Sequence, residues 1–317
     1  MKKTLIALAA VAATGAAFAQ SSVTLYGVAD VGVGDNNAAG TKLGAIANSL
    51  MNNGSSRFGL RGSEDLGGGL KANFNIEAGV SLADGSTAAK MFNRAAFMSL
   101  SGGFGEIAAG RRLTPAFYSK AAYELTGTAN YSAMAKQFNY SSAGAQAVAN
   151  ASGARKDGLV TYTTPNMGGL TATIGTVLEG NDGQKPLEMN VIYRQGPMVI
   201  SAQLDSASIA NTASKDKRGM SIGGSYNLGV ATVAASWQDP AGAKKGFTLG
   251  VSAPMGPVTL TADLARATDD ANKSTDFVLE AKYALSKRTF AYGAYLKDGT
   301  KGAKSVNSWG LGVRHNF

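Results

Sequence analysis

The feature that most restricts the fold of this chain is a two-residue alternation of apolar and polar side chains. In residues 70–78, one face of an extended segment carries Leu70, Ala72, Phe74, Ile76 and Ala78, and the other carries Lys71, Asn73, Asn75 and Glu77. The same pattern recurs at 198–205, 247–252 and 277–285. A period of two is typical of strands whose two faces meet different surroundings. No segment after residue 19 reaches the roughly 18 apolar residues that a membrane-spanning helix needs.

The connections between the predicted strands are alternately short and long. Tight turns fall at residues 65–69, 101–103, 165–169, 195–197, 227–229, 254–257 and 286–287. Longer polar connections fall near 34–54, 81–91, 112–154, 179–187, 207–217, 239–245, 268–274 and 297–306. Seven turns and eight loops in alternation join sixteen antiparallel strands.

Short turns at one end and long loops at the other are typical of outer-membrane barrels. In hydrocarbon a sheet must close so that every backbone group is paired. A soluble sandwich or solenoid also alternates, but we find no repeat of the length that long soluble arrays show. We therefore predict an all-β fold, a 16-stranded antiparallel transmembrane β-barrel, over residues 20–317.

Both ends of the chain carry export features. Lys2 and Lys3 precede an apolar run that ends in Ala17-Phe18-Ala19, which predicts a cleaved secretory signal peptide over residues 1–19. At the other end, Trp309, Leu311, Val313, His315 and Phe317 share one face of the last predicted strand. A strand that ends in Phe317 resembles the signal read by the outer-membrane assembly machinery, which we expect as a partner.

The composition argues against catalysis and against several kinds of ligand. The chain has no cysteine, and its one histidine, His315, lies two residues from the end. A hydrolytic triad would have only this histidine to use, and metal sites built on histidine are unavailable. We expect no enzyme activity, no cofactor and no metal. The net charge is +9, but the basic residues are dispersed without an aromatic platform, so we expect no nucleic-acid partner.

Four segments in order along the chain carry a family resemblance: Val23-Thr24-Leu25-Tyr26-Gly27, residues 56–67 (SRFGLRGSEDLG), Gly102-Gly103-Phe104-Gly105 with Gly110-Arg111, and Gly312-Val313-Arg314-His315-Asn316-Phe317. Together they resemble the general porin family of Gram-negative bacteria, in particular its β-proteobacterial branch. The resemblance implies a homotrimeric passive diffusion channel, set in outer-membrane lipid and lipopolysaccharide. It also implies a third loop that folds into the barrel and narrows the pore, with arginines on the wall facing acids on the loop.

The connection at 112–154 is the candidate constriction loop. It is the longest in the chain and exceeds usual loop lengths, which suggests a function. A sixteen-stranded barrel leaves an aqueous lumen, so a channel that sieves solutes needs something to narrow it. The loop carries apolar and aromatic residues unsuited to a free surface loop. We assign to the constriction Pro115, Phe117, Tyr118, Lys120 and Glu124.

Four arginines fall at similar heights when they are counted from the tight turns. Arg57, Arg94, Arg111 and Arg155 lie seven to ten residues from their nearest turns, which predicts one basic belt near mid-barrel. Arg57 points inward because Phe58 and Leu60 occupy the other face. For Arg94 the alternation is ambiguous, since Phe97 competes with Met98 and Leu100 for the lipid face, and only the resemblance assigns it inward.

Glu77 is expected to lie among these arginines. It stands seven residues from its turn, and the alternation points it into the lumen.

The charge balance around the loop predicts a preference for anions. Between Ile107 and Lys156 there are six basic residues and one acid, Glu124. Residues 114–118 resemble a family segment in which an acid often follows the proline, and here Ala116 stands in that place. A unit charge over about 8 Å contributes roughly 0.5 kcal/mol in water and about 2 kcal/mol at an effective dielectric of 20. Several uncompensated arginines would therefore favour small anionic solutes.

One alternative function stays open, a substrate-specific outer-membrane channel. Such a channel needs a track of aromatic or basic side chains along the solute path. Tyr118, Tyr123 and Tyr131 could begin a track, although nothing else in the sequence continues it.

Overall fold

The computed structural model describes residues 22–36, 41–138, 154–178, 187–205, 218–240, 245–268, 273–299 and 305–317. The predicted signal peptide, residues 1–19, lies outside these ranges. Within the described part of the chain, no helix combines the length and the apolar character needed to cross a membrane.

Seventeen strand segments and two short helices make up the described chain. The strands are β1 (Ser22–Asn36), β2 (Thr41–Ile46), β3 (Arg57–Gly67), β4 (Leu70–Gly79), β5 (Ala95–Gly102), β6 (Gly105–Leu113), β7 (Arg155–Thr163), β8 (Leu170–Val177), β9 (Leu187–Gln195), β10 (Met198–Asp205), β11 (Gly219–Asn227), β12 (Thr232–Asp239), β13 (Gly246–Met255), β14 (Val258–Ala267), β15 (Thr275–Ala284), β16 (Thr289–Asp298) and β17 (Val306–Asn316). The helices are α1 (Pro115–Ala121) and α2 (Ala133–Phe138).

The sheet closes on itself. From β3 onward each strand pairs antiparallel with the next, and β17 pairs with β1 from Val28↔Asn316 to Asn36↔Ser308. The other edge of β1 pairs with β3 in its first half and with β2 in its second half. β2 and β3 are thus two parts of one barrel strand, and the predicted sixteen-stranded antiparallel barrel is confirmed.

The connections follow the prediction with one exception. All seven tight turns join the strands as expected, and seven of the eight longer connections lie between strands at the other end. The exception is residues 34–54, where we predicted one loop. Residues 34–36 continue β1, and Thr41–Ile46 forms β2 in the wall. The prediction was wrong there because the residues after β2 leave the wall for the lumen, which broke the alternation.

This inward excursion, residues 47–56, is here called the strand-2 detour. Met51 and Asn52 at its centre are fully buried. On the wall, the detour leaves Asp30 of β1 without a strand partner on that edge. The Ser56 hydroxyl fills the gap, since it accepts a hydrogen bond from the Asp30 amide (2.9 Å) and donates one to the Asp30 carbonyl (3.1 Å).

The alternation sorts side chains between the outside and the inside of the barrel. On β17, Trp309, Leu311 and Val313 are exposed on the outer face, while Ser308 and Gly310 face inward and are buried. The inside is not polar everywhere. A cluster of fully buried residues fills the lumen beside β15 and β16 and packs the detour against α2; its members include Met51, Tyr131, Met134, Phe138, Val278 and Leu296.

Candidate functional site

The third loop enters the barrel directly after β6. Helix α1 begins at Thr114, whose hydroxyl accepts a hydrogen bond from the Phe117 amide (3.2 Å), and Pro115 occupies the first turn, where its missing N–H costs nothing. The Asn190 amide of β9 donates to the Pro115 carbonyl (2.7 Å), and the Ser119 and Ser201 hydroxyls are 2.7 Å apart. These contacts hold α1 against the inner face of β9 and β10.

The rest of the described loop follows the inner wall towards β15. Gln238 of β12 donates to the Tyr123 hydroxyl (2.8 Å), and the Tyr131 hydroxyl donates to Glu280 of β15 (2.5 Å). Helix α2 packs on β14 and β15. The loop therefore folds into the barrel through residue 138, while residues 139–153 lie outside the described chain.

The five residues that we assigned to the constriction take different places in this loop. Pro115 and Lys120 are buried against the wall, and Phe117 is half-buried. Tyr118 is 41 % exposed and contacts Phe117 edge-on. Glu124 accepts from the Thr126 hydroxyl and from the Thr128 amide, so it holds a tight turn at Gly127 and Thr128, both of which have positive φ.

Three other loop positions are buried rather than open to the lumen. Tyr123 and Tyr131, which could have continued an aromatic track, are at most 2 % exposed. Ala116, which follows Pro115, is also fully buried. Of the three tyrosines considered, Tyr118 alone is exposed.

Lys120 is a buried cation in the contact between α1 and the wall. Burial lowers its pKa from 10.5 to about 8, and the charges of Asp205 and Glu188 oppose this shift. Glu188 also pairs with Lys156 of β7 (2.5 Å). Lys120 therefore anchors the loop and does not line the lumen.

On the opposite wall, two arginines flank one glutamate. The Glu77 carboxylate on β4 lies 3.5 Å from Arg57 Nε and 2.6 Å from Arg94 Nε. The Tyr26 hydroxyl of β1 donates to the same carboxylate (3.0 Å). Arg155 Nε donates to the Arg94 carbonyl (2.8 Å), which places a third guanidinium beside the pair. The structure thus brings Arg57, Arg94, Arg155 and Glu77 together.

The structure also resolves the ambiguity at Arg94. On β5, Met98 and Leu100 are exposed on the outer face, whereas Phe97 points inward with Ala95 and Ser99. Phe97 tolerates this position because the Arg112 guanidinium lies over its ring, 4.7 Å from the centroid. Arg94 immediately precedes β5 and reaches the lumen from there.

Arg111 lies beside this cluster and pairs with a second carboxylate, Asp157 of β7, which it shares with Lys90. A bulge interrupts the pairing of β6 and β7 between Gly110 and Arg112, where Gly110 has a φ of 134°. Arg111 Nη1 donates to Asp157 of β7 (2.6 Å) and its Nε donates to the Asn93 carbonyl (2.6 Å). Because Lys90 also pairs with Asp157 (2.7 Å), two cations share one carboxylate here, as Arg57 and Arg94 do at Glu77.

Our sequence reasoning missed Arg314 on β17. Its Nη1 donates to Asn53 Oδ1 of the strand-2 detour (2.8 Å), and Gly54 lies so close that an added Cβ would stand 2.9 Å from the same nitrogen. A signal was present in the sequence, because the outward positions of Leu311 and Val313 turn Arg314 inward. We call Arg57, Arg94, Arg155 and Arg314 the basic wall.

The C-terminal residues lie on the outer surface. His315 Nδ1 is 2.8 Å from the Thr289 hydroxyl, and its ring stacks on Phe317. The Phe317 ring covers Gly27, where an added Cβ would come within 2.3 Å of it. Two backbone hydrogen bonds between Gly27 and Phe317 complete the closure of the barrel.

Comparisons with known proteins agree with this architecture. The profile of the Gram-negative porin family matches residues 4–316. "Outer membrane porin protein 32" of Delftia acidovorans is 34 % identical, and the alignment covers 100 % of both chains. An outer membrane porin protein of Bordetella pertussis is 29 % identical, again over 100 % of both chains.

Solved structures give the same result. The "Anion-selective porin from Comamonas acidovorans" is 32 % identical and superposes with a TM-score of 0.77, over 94 % of this chain and 100 % of that one. A loop-deletion mutant of OmpT, an outer membrane protein of Vibrio cholerae, is 16 % identical with a TM-score of 0.66 over 94 % of this chain and 99 % of that one, a likeness of fold alone. This chain therefore belongs to the Gram-negative porin family and is a channel protein of the bacterial outer membrane.

Proposed function

We propose that the channel is a passive diffusion pore for small hydrophilic solutes that prefers anions, with its constriction between the third loop and the basic wall. The observation that carries the proposal is the group of Arg57, Arg94 and Arg155 around a single carboxylate, Glu77. Guanidinium groups stay charged at any physiological pH. The group therefore keeps a net positive charge beside the lumen.

Charges of this number suffice for a measurable preference. Each uncompensated charge at about 8 Å from the ion path contributes roughly 0.5 kcal/mol even in water, and more where the lumen is narrow. Because each charge attracts chloride and repels potassium by the same amount, two such charges would together favour a chloride ion over a potassium ion about thirtyfold. The similarity to the anion-selective porin from Comamonas acidovorans, which extends over the whole length of that chain, supports the same preference here.

The test is the reversal potential of refolded protein in a planar bilayer under a KCl gradient. We expect the sign that corresponds to chloride preference in the wild type, and a smaller potential when Arg57, Arg94 and Arg155 are replaced by alanine together. Arg288→Ala, at an exposed turn between β15 and β16, is the matched control and should leave the potential unchanged. A cation preference in the wild type would reject the proposal.

We further infer that the channel is a homotrimer, exported with removal of residues 1–19 and inserted with the help of Phe317. The family resemblance supports the trimer, and the exposed ring of Phe317 at the barrel seam supports recognition during assembly. Native mass spectrometry of detergent-extracted protein tests the trimer and the start of the mature chain together. A monomeric mass, or a mass that includes residues 1–19, would contradict the corresponding inference.

We assign the channel no catalytic role. The lone histidine, His315, lies on the outer face, where it stacks on Phe317 and contacts the Thr289 hydroxyl. Among the described residues, no carboxylate is hydrogen-bonded to it. Absence of peptide or lipid hydrolysis by the refolded protein is the expected result, and hydrolysis that is lost on His315→Ala would contradict it.

A further inference from the structure

Two carboxylates lie close to Arg314, and amide groups of the strand-2 detour occupy both of them. Asp30 of β1 stands opposite Arg314 in the strand pairing and is fully buried. Its carboxylate accepts from Asn52 Nδ2 (2.9 Å), from the Gly54 amide (2.8 Å) and from the Tyr292 hydroxyl (2.6 Å). These three donors satisfy Asp30 without a cation.

The second carboxylate belongs to Glu280 of β15. It accepts from Asn53 Nδ2 (3.1 Å) and from the Tyr131 hydroxyl (2.5 Å), and it pairs with Lys282 (3.0 Å). The same Asn53 side chain uses its oxygen for Arg314 Nη1 (2.8 Å). Asn53 thus stands between a guanidinium and a carboxylate and bonds to both.

Among the described residues, no ion pair within 4 Å joins Arg314 to either acid. This is a notable arrangement for a half-buried arginine with two carboxylates nearby, because direct Arg–carboxylate pairing is strong and geometrically favoured. Instead, Asn53 bonds to both Arg314 and Glu280, and the amides of Asn52 and Gly54 donate to Asp30.

We propose that the strand-2 detour is an insulator that keeps Arg314 available to permeating anions, with Asn53 as the positioning residue that separates it from Glu280. This inference rests on the proposed anion preference. Without the amide of Asn53, Arg314 gains a free path to Glu280, and an arginine paired with a carboxylate presents little net charge to the lumen. The detour therefore contributes to selectivity through a residue that does not itself touch the solute.

The test is the ratio of chloride to potassium permeability, from reversal potentials of single inserted channels. Asn53→Ala should lower the ratio towards the limit of about fivefold that loss of one elementary charge about 8 Å from the ion path in water sets, because that charge attracts chloride and repels potassium equally. Arg314→Ala should lower it by a similar factor. Because only folded protein forms channels, protein that fails to insert does not enter the measurement.

The double variant Asn53→Ala/Glu280→Gln separates insulation from a simple structural role. Removal of the acid takes away the alternative partner of Arg314, so the ratio should return to that of Glu280→Gln alone. The matched control is Asn73→Ala, which removes another inward amide, bonded to Ser99 and Ser101 on β5. The control should leave the ratio unchanged.

The outcomes distinguish this inference from the proposed function. If the wild type prefers cations, the proposed function fails. If the wild type prefers anions but Asn53→Ala behaves like Asn73→Ala, the insulation fails and the proposed function stands. A fall in the Asn53→Ala ratio that persists in the double variant would also overturn the insulation, because Glu280 would then play no part.

Discussion

At the scale of single residues, Glu77 shows how one carboxylate both holds and weakens the basic wall. It bonds to Arg57, Arg94 and Tyr26, so it fixes two guanidiniums in place. It also cancels one of their charges. Position and net charge therefore depend on the same side chain in opposite directions.

Glu77→Gln should accordingly raise the chloride preference and lower the stability. Loss of one negative charge raises the chloride-to-potassium permeability ratio by about fivefold, and loss of hydrogen bonds to a charged group costs about 2 kcal/mol of unfolding free energy. Reversal potentials and urea unfolding in lipid measure the two effects. Glu106→Gln is the control, because that carboxylate pairs with Arg112 near a tight turn. A lower chloride preference in Glu77→Gln would contradict the assignment.

Lys120 gives a pH dependence of known sign. Its pKa is lowered from 10.5 to about 8 by burial, so between these values the unfolded chain binds a proton that the folded chain has released. The unfolding free energy should therefore rise with pH in this window, by up to about 1.4 kcal/mol per pH unit from this one group. Urea unfolding at pH 7.5 and pH 10 measures the change.

The comparison variants for this pH effect are Lys120→Met and Lys287→Met. The first should lose the rise between pH 8 and 10.5, and the second, at an exposed turn, should keep it. The same slope in all three proteins would show that Lys120 does not titrate in this range.

Residue orientations could be predicted from the sequence where one face of a strand is clearly apolar. Arg57 follows from Phe58 and Leu60, and Arg314 could have followed from Leu311 and Val313. The rule fails where both faces are apolar, as at Phe97, because an inward aromatic can be covered by a cation such as Arg112. The alternation also does not show which acid pairs with which arginine, so the ion pair of Arg111 with Asp157 was not predicted.

At the scale of elements, one side chain closes the gap that the strand-2 detour leaves in the pairing of β1. Ser56 replaces a missing neighbour by bonding to both backbone groups of Asp30. Backbone groups left unpaired in a membrane-embedded wall are costly. The barrel can accommodate the detour because the Ser56 hydroxyl lies beside Asp30 and pairs with both of its backbone groups.

Ser56→Ala should be strongly destabilising for this reason. Two buried backbone groups would lose their partners, at a cost of about 2–5 kcal/mol in unfolding free energy. Urea unfolding in lipid vesicles is the measurement. Ser252→Ala removes a hydroxyl that bonds to the Thr261 side chain (3.0 Å) and should cost far less. Equal losses in the two variants would contradict the role of Ser56.

Elements with regular alternation and clear turns could be predicted, and the irregular ones could not. Six of the seven tight turns were placed correctly because glycine, proline or asparagine marks them, and the seventh, Ser286-Lys287, because it interrupts the alternation of the flanking strands. Residues 47–56 lack a period of two, so they resembled an external loop, although their contacts are internal and distant in sequence. A hint did exist on β16, where Tyr292 and Leu296 are apolar residues on the inner face, which indicates that the lumen beside them is not water.

At the scale of the whole molecule, the lumen has two unlike sides. Beside β15 and β16 it is filled by the apolar cluster that includes Met134, Val278 and Leu296. From β17 across β1 to β7 it is lined by the basic wall. Water and ions are thus directed to the side where the arginines lie, which increases the effect of each charge.

The selectivity of such a wall should depend on salt. The screening length falls from about 10 Å at 0.1 M to about 3 Å at 1 M, so charges at the wall act less strongly on an ion in the lumen at high salt. We expect the chloride preference to decline steadily across this range while single-channel conductance rises. Reversal potentials at a fixed concentration ratio and increasing total KCl provide the measurement. A preference independent of salt would point to a filter based on size instead of charge.

The strand-2 detour narrows the lumen with residues that are not part of the strand ladder. Ten residues, 47–56, stand opposite only three residues of β1, 29–31, so this strand carries seven residues more than the ladder uses. Residues 47–55 form no rung of the strand ladder, so the number and stagger of the strands are set elsewhere, while Ser56 ties the detour back to β1. Substitutions in the detour can therefore alter the lining of the pore while the pairing of the barrel strands stays the same.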